Sequence, residues 1–428
     1  MTLDKFKDST EIPEKLCNHN AIEDRLRSMV KNTFKDFLYK YTIKISKATK
    51  SGDSFLGLIY GVIIDGYDAF GNRFKYQLIL KLAPFQVAFR KVVPVREVYE
   101  REIFIYNEII PKFREIQETK NLAINFQPYA KFYISSMDNF GEVLVMDDMR
   151  SKGFKIGDHR AVLDYPHALL IMKELGKFHA LSYAMRDQRP EIFKSWESKC
   201  KDCFFNSSMG RPILSSVLSL GRAVLNSYDS HTNAKEISVF GGFLKNLPNV
   251  FNTILSPELA ENYAVINHGD VEMRNILFKY ANPDEPNIPT ELCMIDWQLS
   301  RLGSPALDIL FFILMCSEKE LRDQYYTNLI EEYYQSLSVF LHELGSEPQI
   351  LLPFEILLNH LKKFAGFGLY AAIWLIASNM KQSEDVPDFY SSVNEEMLAE
   401  QMAIVPKGGY IQRIRDIVTD LMEYGYDF

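Results

Sequence analysis

The chain lacks the sequence features of secreted, disulfide-stabilised and membrane-spanning proteins. Its 428 residues include only five cysteines, an odd number at irregular spacing, which does not fit a disulfide framework. The longest apolar run covers residues 364–377, shorter than the roughly 20 residues that span a bilayer, and predicts a buried helix. The N-terminus, "MTLDKFKDST", has no apolar signal-peptide core. We therefore expect a cytoplasmic protein without a membrane span.

Acidic residues outnumber basic ones, with 56 Asp and Glu against 48 Lys and Arg. The formal net charge is −8 at pH 7 and the pI is about 5.6, whereas nucleic-acid binding needs a basic surface, so we expect no nucleic-acid partner. Cys200 and Cys203 form a single CxxC pair without a second pair or a nearby His, so we expect no zinc site. Aromatic residues, at 13%, fit either large cores or a pocket for an apolar ligand. The composition leaves the oligomeric state open.

Strand patterns are concentrated in the first third of the chain. Helices are predicted around residues 21–38 and at residues 95–110, the second ended by Pro111. In the strand at residues 74–84, Ile79 and Lys81 share one face. Alternating apolar residues predict strands at residues 41–46, 55–64, 74–84, about 130–134 and 142–149.

Helical patterns dominate from Pro166 onward. They are interrupted by a hairpin-like pair of strands at Val265–Ile266 and "LCMIDW". This segregation predicts an α+β protein with two lobes. A small lobe with an antiparallel sheet and a helix is expected at residues 1–149, with a helical leader at 1–40, and a larger, mainly helical lobe at 150–428. Further helices are predicted near residues 210–226, 234–254, 305–317, 319–343, 353–380 and 409–424.

A polar cluster stands in an apolar stretch, "VINHGDVEMRNILF". Asp270 and Asn275 lie in it, and Asp296 ends the next apolar strand. Lys81 lies on a predicted strand upstream, ahead of a helix that carries Glu102. Transfer of a phosphoryl group from ATP needs this set: a carboxylate base, an amide and a carboxylate for Mg²⁺, and a lysine oriented by a glutamate. Taken alone, Asp270 is better explained as a turn residue and Asn275 as a helix or strand cap.

With these residues in place, the chain resembles the kinase-like phosphotransferases, whose catalytic loop reads HGDxxxxN. Within that group it is similar to the ecdysteroid kinase-like (choline-kinase-like domain) family. The resemblance implies a bilobal protein-kinase-like fold, ATP and Mg²⁺ as cofactors, and a small-molecule hydroxyl as acceptor. It rests on "SGDSFLG", "LILKLAP", "YEREIFIYNEIIP", "VLVMDDMRSKGF", "LGKFHALS", "NHGDVEMRNILFKY" and "MIDWQLSRLGSPALDILFFI".

The resemblance also implies roles for individual residues. Asp270 is similar to the catalytic base, Asn275 and Asp296 to the metal ligands, and Lys81 to the phosphate-binding lysine with Glu102 as its partner. Residues matched to ATP contacts are Gly52, Ser54 and Gly57 in a phosphate-covering hairpin, Ile79 against the base, and Met146, Asp147, Asp148 and Met149 in the adenine hinge. From the pattern of the loop, His268 and Asp308 are expected to support it structurally.

The chain departs from the family pattern after "HGD". The family has Leu-Trp and then paired asparagines, where this chain has Val271–Glu272 and Arg274–Asn275. Arg274 could bind phosphate or pair with Glu272.

The sequence is compatible with three functions. A protein kinase is disfavoured, because Gly269 replaces the catalytic-loop arginine and the short spacing from Asp296 to Asp308 leaves no room for an activation segment. A small-molecule kinase is favoured, with an ecdysteroid, another steroid-like molecule or a xenobiotic alcohol as acceptor, ahead of a choline, ethanolamine or aminoglycoside acceptor. A non-catalytic, pseudokinase-like protein that binds a small apolar ligand stays open as the alternative.

Overall fold

The computed structural model describes residues 19–35, 39–48, 56–120, 122, 125–158, 161–251, 253–282, 287–381, 394–426 and 428. Gly52 and Ser54, predicted to cover the phosphates, lie outside the described residues.

An antiparallel five-stranded sheet forms the N-terminal part, as the alternating patterns predict. Its order is β1-β2-β3-β5-β4, with every neighbouring pair antiparallel. The strands are β1 (Lys40–Lys47), β2 (Leu58–Tyr67), β3 (Arg73–Leu82), β4 (Phe132–Ser136) and β5 (Val143–Asp147).

The two faces of β3 serve different purposes. Leu78 and Leu80 pack on one face against Val30 of helix α1 (His19–Phe34), which covers that side of the sheet. Ile79 and Lys81 lie on the other face, and Ile79 packs against the large core. The alternation therefore directs Lys81 toward the rest of the molecule.

The helix that follows the third strand is longer than predicted. After α2 (Val87–Val92), α3 runs Val95–Phe104, a π-helical turn covers Ile105–Ile109, and α4 runs Ile110–Glu118. The expectation that Pro111 ends the helix is wrong, because Pro111 lies in the first turn of α4, where its missing N–H is not needed. The π-helical turn supplies the adjustment that lets the chain continue.

The later part is mostly helical, in agreement with the predicted α+β class. α9 (Pro305–Cys316) and α13 (Ala365–Met380) are buried along nearly their whole length, as the apolar run predicts for α13. The other helices are α5 (Tyr165–Gln188), α6 (Pro190–Glu197), α7 (Gly210–Leu225), α8 (Ala234–Val250), α10 (Lys319–Glu343), α11 (Pro348–Leu351), α12 (Phe354–Lys363), α14 (Glu395–Met402) and α15 (Tyr410–Glu423).

Short strands interrupt these helices, and their pairing differs from the prediction. β7 (Val265–Asn267) pairs with β10 (Arg301–Gly303), whereas β9 (Pro289–Met294) pairs with β8 (Ile276–Tyr280). The predicted pairing of Val265–Ile266 with "LCMIDW" is therefore wrong. β8 and β9 are consecutive and joined by a short connection, so they form the hairpin and leave β7 to a later partner. A two-residue strand, β6 (Lys155–Ile156), pairs with β8 and completes a three-stranded sheet.

In the part of the chain that the structure describes, no single helix is long and apolar enough to cross a membrane. Two helical stretches bent by 49°, Pro348–Lys363 and Ala365–Met380, meet the length and composition criteria only when they are taken together.

Candidate active site

Lys81 is held between two carboxylates. Its Nζ donates to Glu102 Oε2 on α3 and to Asp296 Oδ1 after β9, each at 2.7 Å, and only 5% of Lys81 is exposed. Burial alone would lower the pKa of the Lys81 ammonium, but the charges of Asp296 and Glu102 outweigh it and the pKa is raised. Burial in turn raises the pKa of Glu102 against the opposing effect of Lys81. The structure thus joins the sheet to the later part of the chain through three predicted site residues.

Gly57 lies against this lysine. A Cβ added at Gly57 would meet Lys81 Cγ at 3.3 Å and Tyr99 Oη at 3.0 Å. The Tyr99 hydroxyl donates to the carbonyl of Leu56 at 3.1 Å and fixes the start of β2. Gly57 therefore lets the backbone approach Lys81 more closely than a residue with a side chain would.

Asp270 and Asn275 are in direct contact. Asn275 Nδ2 donates to Asp270 Oδ2 at 2.8 Å and to the Asp270 carbonyl at 3.0 Å, so both amide hydrogens are used and Oδ1 is left to accept a cation. Burial raises the pKa of Asp270 well above its ordinary value, and the charges of Glu272 and Asp296 raise it further. So many carboxylates close together favour a bound cation.

Asp296 has a strained backbone. Its φ of 67° and ψ of 66° fall in the left-handed region, which is uncommon for a residue other than glycine. The next amide, that of Trp297, donates to Glu102 Oε1 at 3.4 Å. This turn at the end of β9 places the Asp296 carboxylate beside Lys81.

Asp308, at the start of α9, binds the backbone of the loop that precedes Asp270. Its Oδ2 accepts the backbone N–H of His268 at 2.7 Å and its Oδ1 that of Gly269 at 2.9 Å. Burial would raise the pKa of Asp308, but a hydrogen bond from His179 and nearby positive charge lower it instead. His268 Nε2 lies 3.0 Å from the carbonyl of Ile295, so its ring ties the loop to the segment between β9 and Asp296. Burial lowers the pKa of His268, which favours the neutral ring.

Gly269 is required by both conformation and space. Its φ is +87°, and a Cβ there would lie 2.1 Å from the carbonyl oxygen of Leu299. The loop before Asp270 therefore packs directly on the segment that follows Asp296.

In the predicted adenine hinge, the backbone amides of the two aspartates already donate hydrogen bonds within the protein. The backbone amide of Asp147 donates to the Lys131 carbonyl, and that of Asp148 to the Gln77 carbonyl, both at 2.9 Å. The Asp147 carboxylate accepts from Lys152 at 2.6 Å. Met146 lies in β5 opposite Ile79, the residue expected to pack against the base. Neither aspartate amide is free to bind adenine, so other backbone groups of residues 146–149 would have to do so.

Glu272 and Arg274, the two residues outside the family pattern, form an ion pair. Arg274 Nη2 donates to Glu272 Oε1 at 2.8 Å and Oε2 at 3.0 Å, and Asn379 Nδ2 donates to Oε2 at 3.1 Å. Only 6% of the Glu272 side chain is exposed, against 39% for Arg274. Of the two alternatives for Arg274, pairing with Glu272 is the one the structure contains. Asn379 lies far from Glu272 in the sequence, and no sequence pattern predicted their contact.

Arg101 is a second residue whose role no sequence pattern predicted. It precedes Glu102 on α3, and its guanidinium donates to the carbonyls of Lys199 at 2.8 Å, Lys201 at 2.6 Å and Ser300. Only 6% of Arg101 is exposed. Its position next to Glu102 is the one sequence feature that points to a role at the site.

The oxygen atoms at the site fit Mg²⁺. Asn275 Oδ1 and the Asp296 carboxylate are hard ligands, and Mg²⁺ commonly takes one or two protein oxygens and completes its shell with phosphate and water. Among the described residues, no group of three or more His, Cys, Asp or Glu side chains could hold a metal ion by itself. A site shared between the protein and a nucleotide phosphate is consistent with both observations.

A model of the ecdysteroid kinase-like family matches residues 51–346. The chain belongs to this family. The matched range of this ecdysteroid kinase-like protein contains Lys81, Glu102, Asp270, Asn275 and Asp296, whereas α13 lies beyond it.

The fold is also similar to that of a Plasmodium vivax ethanolamine kinase, Pv091845. The TM-score is 0.43 at 12% sequence identity, covering 90% of this chain and 89% of that chain. No curated protein sequence matches the chain.

Proposed function

We propose that this ecdysteroid kinase-like protein transfers the γ-phosphoryl group of ATP, in the presence of Mg²⁺, to a hydroxyl of a small acceptor in the cytoplasm. The observation that supports this most directly is the convergence of Lys81, Glu102 and Asp296 beside the Asp270–Asn275 pair. The acceptor is proposed to be an ecdysteroid, another steroid-like molecule or a xenobiotic alcohol.

In the proposed reaction Asp270 accepts the proton of the acceptor hydroxyl. The acceptor oxygen forms a bond to the γ-phosphorus while the bond from that phosphorus to the β–γ bridging oxygen breaks, which gives a phosphate ester and ADP. Lys81, oriented by Glu102, would bind the α- and β-phosphates. Asn275 Oδ1 and Asp296 would hold Mg²⁺, which neutralises phosphate charge when bound. Nucleotide contacts would come from residues 1–149, and the catalytic loop and acceptor contacts from residues 150–428.

An ATP-consumption screen tests this function. The purified protein is incubated with ATP and Mg²⁺ and with ecdysteroids, other sterols, plant phenolics or choline-like amines, and product mass is measured. We expect a mass gain of one phosphoryl group on an apolar alcohol. ATP binding without any phosphorylated product would favour the pseudokinase-like alternative, and the absence of Mg²⁺-dependent ATP binding in a thermal-shift assay would reject the kinase.

A further inference from the structure

Arg301, in β10, is a buried cation with unused hydrogen-bond donors. Only 1% of the residue is exposed. Its Nη1 donates to the Leu299 carbonyl at 3.1 Å, but Nε and Nη2 have no hydrogen-bond partner among the described residues. Buried polar groups in native proteins nearly always have partners, and an unsatisfied charged group is the costliest exception. Such a group calls for an explanation.

Two aromatic faces stabilise the guanidinium without satisfying its N–H groups. Arg301 Cζ lies 5.6 Å from the ring centroid of Phe205 and 5.3 Å from that of Phe367. Tyr370 and Trp374 share a face of α13 with Phe367, since they follow it by three and seven residues. Their rings lie 6.0 Å and 6.1 Å from the Phe205 ring. We call Phe205, Arg301, Phe367, Tyr370 and Trp374 the Arg301 cluster.

The cluster contains two more unused donors. Tyr370 Oη and Trp374 Nε1 are buried and have no hydrogen-bond partner in the part of the chain that the structure describes. Around the Phe205 ring, three side chains therefore have O–H or N–H groups without partners in the described ranges: Arg301, Tyr370 and Trp374. A binding partner for such a set must present oxygen acceptors, and the aromatic faces select an apolar, ring-containing body.

The cluster borders the catalytic loop. A Cβ added at Gly269, the residue before Asp270, would lie 3.0 Å from Arg301 Nη1. A molecule bound to the cluster would thus lie close to the loop that carries Asp270.

The charge around Arg301 favours a neutral ligand. Burial lowers the pKa of Arg301, and the negative charges of Asp202, Asp308 and Asp270 oppose that shift. Because the charges of these three carboxylates already act on the guanidinium, a neutral hydroxyl or carbonyl oxygen is a sufficient partner for its free N–H groups.

We propose that the Arg301 cluster binds the acceptor: Arg301, Tyr370 and Trp374 donate hydrogen bonds to oxygen atoms of a neutral, ring-containing alcohol whose apolar body packs on Trp374, the most exposed ring of the cluster. This assignment rests on the proposed kinase function, because it names the acceptor end of the same site. The alternative is that internal water satisfies the four donor groups.

Tyr370→Phe tests the assignment because it removes only a hydroxyl. The probes are ecdysone, a hydroxylated steroid ketone, and naringenin, a phenolic ketone, titrated into the full chain by calorimetry. We expect at least one probe to bind, and Tyr370→Phe to weaken its Kd about three- to tenfold, as expected for one lost hydrogen bond. The thermal midpoint should not fall, since the hydroxyl has no partner to lose.

Trp374→Phe gives an independent readout. The chain has three tryptophans, and a ligand in the cluster would contact Trp374. We expect the probe-dependent change in tryptophan fluorescence to disappear in this variant. Tyr410→Phe is the matched control: its hydroxyl donates to the Ile373 carbonyl at 2.8 Å, so the thermal midpoint should fall while the probe Kd stays unchanged.

The outcomes separate the cluster from the kinase. An equal Kd in the wild type and Tyr370→Phe, as internal water alone would give, overturns the assignment, and so does the absence of binding by either probe. Phosphorylation of a probe with an unaltered KM in Tyr370→Phe would leave the kinase intact and place the acceptor elsewhere. Tyr370-dependent binding without any ATP consumption would support the cluster and reject the kinase.

Discussion

At the scale of single residues, the buried Glu272 carboxylate is the clearest departure from the family pattern. Arg274 and Asn379 both donate to it, and it lies close enough to Asp270 to raise the pKa of that carboxyl. The ion pair keeps the Arg274 guanidinium beside the catalytic loop. Glu272 and Arg274 are thus best understood as one unit.

Glu272→Gln should lower the free energy of unfolding by about 1–2 kcal/mol, because it leaves Arg274 without its charge partner in a half-buried place. Urea unfolding measures the change. Glu291→Gln is the control, since Glu291 pairs with Lys279 on the exposed edge of β8 and β9, where the loss should stay under about 0.5 kcal/mol. Equal losses in the two variants would contradict the account of Glu272.

Gly269→Ala should lower the free energy of unfolding by at least about 3 kcal/mol, because it combines a positive φ with a backbone clash against Leu299. Gly71→Ala is the matched control: its φ is +84° and nothing lies within 4 Å of the added Cβ, so only the conformational cost of about 1 kcal/mol applies. Denaturant unfolding of both variants checks the difference. A loss no larger at Gly269 would mean that the loop moves freely away from Leu299.

The sequence predicted some of these residues and not others for a physical reason. Asp270, Asn275 and Asp296 stand out because polar residues interrupt apolar strands, and Lys81 because it alternates with apolar neighbours. Arg101 and Asn379 lie on ordinary helical patterns. Their roles depend on contacts between distant segments, which periodicity does not encode.

At the scale of elements, α3 carries adjacent residues that act on different parts of the site. Glu102 orients Lys81, while Arg101 fixes the same helix turn to the carbonyls of Lys199, Lys201 and Ser300. The Ser300 hydroxyl in turn donates to the His268 carbonyl at 3.1 Å. The position of Glu102 is therefore tied to that of the catalytic loop.

Arg101→Met should weaken ATP binding about tenfold, because α3 loses its link to the later part of the chain and Glu102 no longer holds Lys81. Calorimetric titration with Mg²⁺ and ATP measures the Kd. Arg96→Met, an exposed position on the same helix, is the control and should leave the Kd unchanged. If both variants bind ATP as the wild type does, Arg101 has no positioning role.

The packing of α12 on the start of α9 should make stability depend on pH. His360 Nδ1 lies 2.8 Å from Ser304 Oγ, the N-cap of α9, and burial lowers the pKa of His360 to about 4. The unfolded chain, with a pKa near 6.5, binds a proton that the folded chain does not bind between pH 6.5 and pH 4. The contribution of the neutral ring is therefore present above pH 6.5 and is lost as the pH falls through this window.

The free energy of unfolding attributable to His360 should fall by about 2 kcal/mol from pH 7 to pH 5. Urea unfolding of the wild type and His360→Gln at both pH values isolates this contribution, since the other titrating groups are common to the two. A difference between wild type and variant that stays constant with pH would contradict it.

Helices and strands were predicted most accurately where the local sequence pattern determines their bounds. β1, β3 and α10 follow their apolar periodicity closely, whereas the pairing of β7 with β10 and the π-helical turn before Pro111 depend on packing between segments. The adenine hinge stays a prediction from the resemblance, and the hydrogen bonds of its aspartate amides were not foreseeable from the residues.

At the scale of the whole molecule, the sheet and the helical region meet at Lys81 and Asp296. Lys81 and Glu102 come from the sheet and its helix, and the other three proposed site residues come from the loops of the later part. The order of strands and helices predicted this α+β arrangement. The division into lobes at residue 149 stays a prediction.

The most direct measurement of the central claim is the rate of acceptor phosphorylation by Asp270→Asn. The amide oxygen can still accept from Asn275 Nδ2, so the loop should keep its shape while the proton acceptor is lost. We predict that turnover falls at least about 100-fold with the Kd for ATP unchanged, while the exposed control Asp323→Asn retains full activity. Unchanged turnover in Asp270→Asn would contradict the account.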